Sequence, residues 1–317
     1  MSTAPRLVIL DTDPGVDDAL ALLYLRARPD LKLLAITTVF GNADVETTTR
    51  NALWLRARLG LVAPVYRGAA EPLNGARGPS PTHVHGRNGL GDIELDGFDL
   101  PPADPGLAHE RIVELVRAHP GDVTIVAIGP LTNLALALRA APDLVERVAE
   151  VAVMGGAFSG GNVTPFAEAN IHNDPEAAAE VLSAGWPLTL TPLDGTMSCV
   201  LSDADARELA ERGGDAGRFA FAVTRSYAEA YARHQGLDGC VLHDVAALTW
   251  LTNPGFFETR EGPVSVVLEG ERRGQTVRSD APSAVKTCLR AAGGELATHF
   301  CEAITRATAP SAITPAL

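Results

Sequence analysis

Lysine is nearly absent: it stands only at Lys32 and Lys286, while arginine is abundant, a bias of composition that carries no functional message. No glycine–lysine pair and no Gly-x-Gly-x-x-Gly occur, so a P-loop and a dinucleotide fingerprint are unsupported. Cysteine is sparse. Cys199, Cys240, Cys288 and Cys301 are scattered without a Cys-x-x-Cys. That argues against a zinc site or a disulfide framework and for reduced thiols in a cytoplasmic protein. No window reaches the roughly 18 uninterrupted apolar residues of a membrane span. Met1–Arg6 shows no charged stretch leading into an apolar run and a small-residue cleavage site, so no signal peptide is expected. Basic charge is short as well. The net charge of −13 argues against nucleic acid and anionic membranes as partners, because both need basic patches. A neutral small molecule or a cation stays open.

What is present is an ordinary globular composition, 46% hydrophobic and 21% charged over 317 residues, enough to enclose a deep pocket. Strand and helix patterns alternate. Strands are expected at Arg6–Asp11, Leu31–Val39, Ala63–Tyr66, Val123–Ile128, Glu150–Met154 and Pro187–Thr191. Helices are expected at Asp17–Arg28, Val45–Leu59, Leu107–Ala118, Leu131–Leu138 and Pro175–Ala184. Continuous apolar strands between helices predict an α/β fold: a mostly parallel, Rossmann-like open sheet with helices on both faces. After Thr191 the pattern turns helical at Asp203–Arg212, Gly217–Arg233 and Val245–Leu251. Strand-like runs at Gly262–Leu268 and Gln275–Arg278 predict a small β element before a last helix near Glu295–Arg306. Residues 68–106 read as a long functional loop. With no convincing linker, the expectation is one domain over residues 1–317.

Such sheets bind ligands beyond the carboxyl ends of their strands. There the sharpest feature is Asp11-Thr12-Asp13-Pro14-Gly15-Val16-Asp17-Asp18, straight after the first strand. Four carboxylates in eight residues repel one another unless a cation or donors compensate them. Gly15 allows a tight turn that folds Asp13 and Asp18 towards one point. An all-carboxylate cluster suits a hard cation, Ca²⁺ or Mg²⁺; helix capping would need only one or two of these acids. Asp244 offers a further metal carboxylate, and His243 a proton donor with a pKa near working pH. Asn162, Glu168 and Asn170 follow a strand and suit recognition of sugar hydroxyls, though a polar loop chosen for turns reads the same way. Tyr227 and Tyr231 lie one helical turn apart, fitting either core packing or stacking on a flat base. His83 and His85 lack further ligands at zinc spacing.

Taken together these segments resemble the nucleoside hydrolases of the inosine–uridine-preferring type, from about Leu7 to at least Trp250. Asp11–Ala19 resembles the family signature; residues 37–42, 129–133, 154–156, 162–170 and 243–244 occur in the family's order. The resemblance implies hydrolysis of the N-glycosidic bond of ribonucleosides, for purine or pyrimidine salvage. It implies Ca²⁺ held by Asp13, Asp18, Asp244 and the backbone carbonyl of Thr132, binding a water and the 2′- and 3′-hydroxyls of ribose. It assigns ribose contacts to Asp17, Asn42, Asn162, Glu168 and Asn170, the general base to Asp13, and the leaving base to His243 with Tyr227, Tyr231 and His85 nearby. It also implies a homodimer or homotetramer. Ala169 and the pair Arg87-Asn88 depart from the family pattern. Two other readings compete: a Mg²⁺ phosphatase resembling the haloacid-dehalogenase type, with Asp11 as nucleophile and Asp92–Asp96 as its later acidic motif, and a non-catalytic metal-dependent nucleoside or ribose binder.

Overall fold

The computed structural model describes residues 4–280 and 284–308, so the segment read above for a signal peptide lies partly outside them. The strands β1 (Arg6–Thr12), β2 (Leu31–Thr38), β3 (Val65–Tyr66), β4 (Val123–Ala127), β5 (Glu150–Met154) and β6 (Leu188–Thr191) join β7 (Phe257–Gly262) and β8 (Val285–Ala291) in one sheet. Its order is β3-β2-β1-β4-β5-β6-β8-β7. All neighbours are parallel except β7, which runs antiparallel to β8. The chain therefore winds outwards from β1 to β3 and returns to β4 on the other side of β1. That reversal opens a crevice between β1 and β4.

Side-chain alternation explains why both faces are covered. Val8 and Leu10 of β1 enter one apolar core, while Ile9 between them enters the other. Ala108–Ala118, Thr132–Ala140 and Pro175–Ser183 seal the Ile9 side. The Leu10 side is sealed by α1 (Val16–Ala27), Val45–Leu59, α2 (Gly214–Gln235), α3 (His243–Thr252) and Gly293–Thr308. Helix α1 is buried from Val16 to Leu25 and packs against both α2 and α3. An apolar helix enclosed on every side fixes the aspartates at its start firmly.

Strands β1 to β6 lie where the sequence places them, and residues 68–106 contain one short helix, Thr82–His85. The C-terminal β pattern differs from the expectation. The run Gly262–Leu268 is divided at Pro263: β7 ends before it, and Val264–Val266 pairs with Thr276–Arg278 instead. Proline has no amide hydrogen to continue a ladder. Strands β7 and β8 escape the sequence pattern: Phe257–Gly262 is an edge strand with four consecutive exposed residues, Glu258 to Glu261, so no apolar run announces it, and in β8 Lys286 and Arg290 interrupt the apolar residues.

Candidate active site

The crevice is built by turns at strand ends. Asp13, Pro14 and Gly15 connect β1 to α1. Gly15 donates its amide to Asp18 Oδ2 at 2.8 Å. A Cβ at Gly15 would stand 2.6 Å from Asn42 Nδ2 and from His85 Nδ1, so glycine permits the close approach of both. Asp18 Oδ1 also accepts the Thr12 hydroxyl, and its Oδ2 the Asn42 amide at 3.1 Å. Asp13 Oδ2 accepts the Asn42 backbone amide at 2.7 Å, whereas its buried Oδ1 has no partner. Asp244 arrives from the first turn of α3.

One carboxylate oxygen from each of Asp17, Asp18 and Asp244 lies within 4.8 Å of the other two, and all three residues are buried. Burial pushes all these acids upwards. Asp13 is driven further by Asp18 and Asp17, and Asp244 by Asp17, Asp18, Asp13 and Glu168. Asp17 and Asp18 both rise to about 6, again chiefly through burial. Buried Asp17 Oδ1, like Asp13 Oδ1, has no hydrogen-bond partner. Mutually repelling carboxylates with orphaned oxygens fit a hard divalent cation, because only positive charge compensates such a set. Thr132, buried at the start of its helix, donates its hydroxyl to Asp174 Oδ2 at 2.7 Å.

Across the crevice, Glu168 caps the helix Ala169–Asn173. Its Oε1 accepts the Asn170 amide (2.8 Å), and its Oε2 accepts those of Gly156 (2.9 Å) and Ile171 (3.1 Å). Burial outweighs these donors and lifts Glu168 to about 7. Asn170 Nδ2 donates to the carbonyls of Ile128 and Met154, fixing the amide between the ends of β4 and β5. Asn162 Oδ1 accepts the Ala169 amide at 3.0 Å, closing the loop that carries it.

The remaining wall is aromatic. His85 and Tyr227 face each other at 5.4 Å with 32° between their planes, and His85 Nδ1 accepts the Val16 amide at 3.2 Å. Tyr227 donates to Asp17 Oδ2 (3.3 Å), and its hydroxyl lies 3.5 Å from that of Tyr231. Tyr231 then meets His243 Nε2 at 2.7 Å, and His243 Nδ1 meets the Thr196 hydroxyl at 2.7 Å. The two tyrosines are thus core residues whose hydroxyls form a chain from Asp17 to His243. Burial lowers His243 to about 3 and His85 to about 4, so both rings are neutral at pH 7. This corrects the expectation of a His243 pKa near working pH: the ring is too deeply buried to charge there.

The structure brings Asp13, Asp17, Asp18, Asn42, His85, Tyr227, Tyr231, His243 and Asp244 into one connected network. It sets Glu168 and Asn170 beside the same crevice, and joins Asn162 to them through the loop. His83 is exposed and meets His234 edge-on at 6.1 Å, apart from that network. Sequence reasoning gave no role to Thr12, Thr196 and Asp174. Only Asp174 carried a signal, since Asp before Pro175 is a helix-start pattern. Gly41 supplies a test of the geometry: a Cβ there would collide with Asp13 Oδ2. With Asp13 in the role of general base proposed below, Gly41→Ala is expected to cut turnover by about a hundredfold, the cost of displacing a reacting group by about 1 Å. Unchanged steady-state rates would show that Asp13 does not need its present position.

Residues 8–304 match the family described as inosine-uridine preferring nucleoside hydrolase. The chain is 39% identical to uridine nucleosidase 1 of Arabidopsis thaliana over 85% of its own length and 81% of the relative's. It is 37% identical to the inosine-uridine preferring nucleoside hydrolase of Leishmania major over 84% of this chain and 85% of that one. Among solved structures, a plant nucleoside hydrolase superposes with a TM-score of 0.91 at 31% identity, covering 96% of this chain and 100% of its own. A purine-preferring ribonucleoside hydrolase from Gardnerella vaginalis gives 0.90 at 31% identity, with 95% and 99% covered. Fold and site together define a hydrolase of N-glycosyl compounds. The chain belongs to the inosine–uridine preferring nucleoside hydrolase family, a metal-dependent family, and it cleaves the N-glycosidic bond of small-molecule ribonucleosides.

Both competing readings fall. The binder reading fails because the chain is an enzyme. In the phosphatase reading Asp11 is a nucleophile, but its Oδ1 is tied down by Thr37 and Asn133 in the buried end of β1. The acidic run Asp92–Asp96 follows no sheet strand, and Asp92 Oδ1 is spent on the loop amides of Arg87 and Asn88.

Proposed function

We propose that this enzyme is a Ca²⁺-dependent ribonucleoside hydrolase of nucleoside salvage, with Asp13, Asp18, Asp244 and the Thr132 carbonyl holding the ion. The observation that carries this reading is the convergence of the buried Asp17, Asp18 and Asp244 carboxylates at the β1–β4 crevice; Asp13, tied to Asp18 through Asn42, adds a buried Oδ1 without a partner. When bound, the cation would orient the sugar hydroxyls and the attacking water and lower that water's pKa.

Asp13 accepts the proton of the attacking water at Oδ1. Oδ1 is the oxygen of this buried carboxylate that no protein donor occupies, so it is free to take the proton. Asp17, Asn42, Asn162, Glu168 and Asn170 grip the ribose. As the bond to the base breaks, positive charge grows on the sugar, and the neighbouring carboxylates stabilise it in a dry, low-dielectric site. On the base side, the Val16 amide occupies His85 Nδ1, which leaves the proton of the neutral ring on Nε2 as a donor. Tyr231, backed by His243 and Thr196, hydrogen-bonds the leaving base as negative charge builds on it.

Incubating the protein with uridine, inosine, cytidine and adenosine and measuring free ribose tests the activity. Chelation tests the ion. A ligand that binds only the folded state stabilises it by about 2.7 kcal/mol at a hundred times its dissociation constant. Ca²⁺ is therefore expected to raise the melting temperature of chelator-treated protein, and Asp244→Asn to remove most of that gain. A melting temperature indifferent to Ca²⁺ would refute the metal site. The four cysteines are free, which supports a reducing, cytoplasmic setting. The family resemblance supports a homodimer or homotetramer, which light scattering can check.

A further inference from the structure

Asn51 lies on the helix Val45–Leu59, outside the crevice, and is completely buried. Its Nδ2 donates to two carbonyls at once: Pro14 in the aspartate turn (3.0 Å) and Asn88 in the loop that carries His85 (2.9 Å). That loop is folded upon itself. Asn88 Oδ1 accepts the amides of Leu90 (2.8 Å) and Asp92 (3.0 Å), and its Nδ2 donates to the Ile93 carbonyl (2.8 Å). Asp92 Oδ1 returns to the amides of Arg87 (2.7 Å) and Asn88 (3.2 Å), and the Gly91 amide closes on the His85 carbonyl (2.8 Å). Gly89 admits Asn51 at close range, because a Cβ there would stand 2.7 Å from Nδ2. The loop is therefore tied to the aspartate turn at two points. One is Asn51 between the Asn88 and Pro14 carbonyls; the other is the Val16 amide on His85 Nδ1.

We propose that Asn51 is a positioning residue for substrate recognition: it fixes the spacing between the base wall, His85 on Tyr227, and the turn that holds the sugar. This rests on the base-side reading of His85 above. A neutral amide suits the task. It offers two hydrogens to two backbone acceptors, whereas leucine offers none and an aspartate would set its charge against both carbonyls. With the spacing set in advance, the nucleoside does not have to order the loop on binding, so affinity is gained without new contacts. Asparagine at 88 serves the loop through its own side chain, which bonds Leu90, Asp92 and Ile93 and so presents the carbonyl that Asn51 holds.

Asn51→Ala is expected to raise KM for uridine and inosine about tenfold or more, the effect of losing two net hydrogen bonds to a binding wall. Inhibition by free ribose, which has no base, is expected to stay within about twofold, as is Ca²⁺ affinity measured by calorimetry on chelator-treated protein. Hydrogen exchange of the amides from Gly86 to Asp92 is expected to quicken. Asn88→Ala keeps the backbone carbonyl that Asn51 holds but removes the side-chain bonds to Leu90, Asp92 and Ile93 that shape the loop presenting it; it leaves the helix and Pro14 intact and should shift KM in the same direction. An unchanged KM in both variants overturns the proposal. So does a parallel loss of nucleoside, ribose and Ca²⁺ binding, because that pattern marks general disruption. If the wild type releases no ribose, the functional reading fails instead, while the exchange measurement still judges the clip.

Discussion

Asp13→Asn is expected to leave a folded protein that is harder to melt without metal and slower by about 10⁴-fold, the upper end of what losing a general base costs. The two effects have one cause. Asp13 is buried with one oxygen unpartnered, and the negative charges of Asp18 and Asp17 bear on it. Asparagine keeps the shape and still accepts the Asn42 amide through its carbonyl, but it removes one charge from a group of like charges. Without a cation that removal relieves repulsion, so the chelated variant should melt above the chelated wild type. With Ca²⁺ present the order should reverse, since the wild type has the stronger site. Turnover near the wild-type rate, or a chelated variant that melts lower, would break the link between Asp13's charge and its function.

The second large effect concerns the leaving base. His243→Ala should slow uridine and inosine by about 10²–10⁴-fold, the usual contribution of a positioned proton donor. A p-nitrophenyl riboside, whose leaving group needs no such help, should suffer far less. His243 Nε2 is occupied by Tyr231, and on the reading proposed above Tyr231 is the group that meets the base. Tyr231→Phe should therefore show the same dependence on leaving group as His243→Ala. Thr196→Val, which leaves Nδ1 without its hydroxyl partner, should show it more weakly. Equal losses on natural and activated substrates would remove the whole chain from the donor role and leave it a packing element.

The aspartate turn was legible because its information is local. An apolar strand, a glycine that permits the turn and a dense set of carboxylates all fall within Leu7–Asp18. Asn42 and the Glu168–Asn170 segment follow strand ends, but by themselves they read as polar turns, and only the family resemblance gave them a role. His243-Asp244 was ambiguous by itself, since a histidine–aspartate pair before a helix also reads as a cap. The pairing of His243 with Tyr231 and Thr196 left no pattern in the chain, nor did the grip of Asn51 on two distant carbonyls. Strand β7 stayed hidden because an edge strand takes its identity from its neighbour more than from its own apolar content; β8, paired on both sides, stayed hidden because Lys286 and Arg290 interrupt its apolar residues.

By itself, then, the chain determined the alternation of strand and helix, the parallel sheet that alternation builds, and the acidic turn beyond its first strand. Each of these follows from side-chain period and turn chemistry acting over a few neighbouring residues. Tertiary packing alone decided which distant groups meet: Asp244 beside Asp17 and Asp18, a line of hydroxyls ending on a buried, neutral imidazole, and a loop clipped to the turn it faces. Those contacts depend on how α1, α2 and α3 settle against one another, and burial there sets the charge that each group carries.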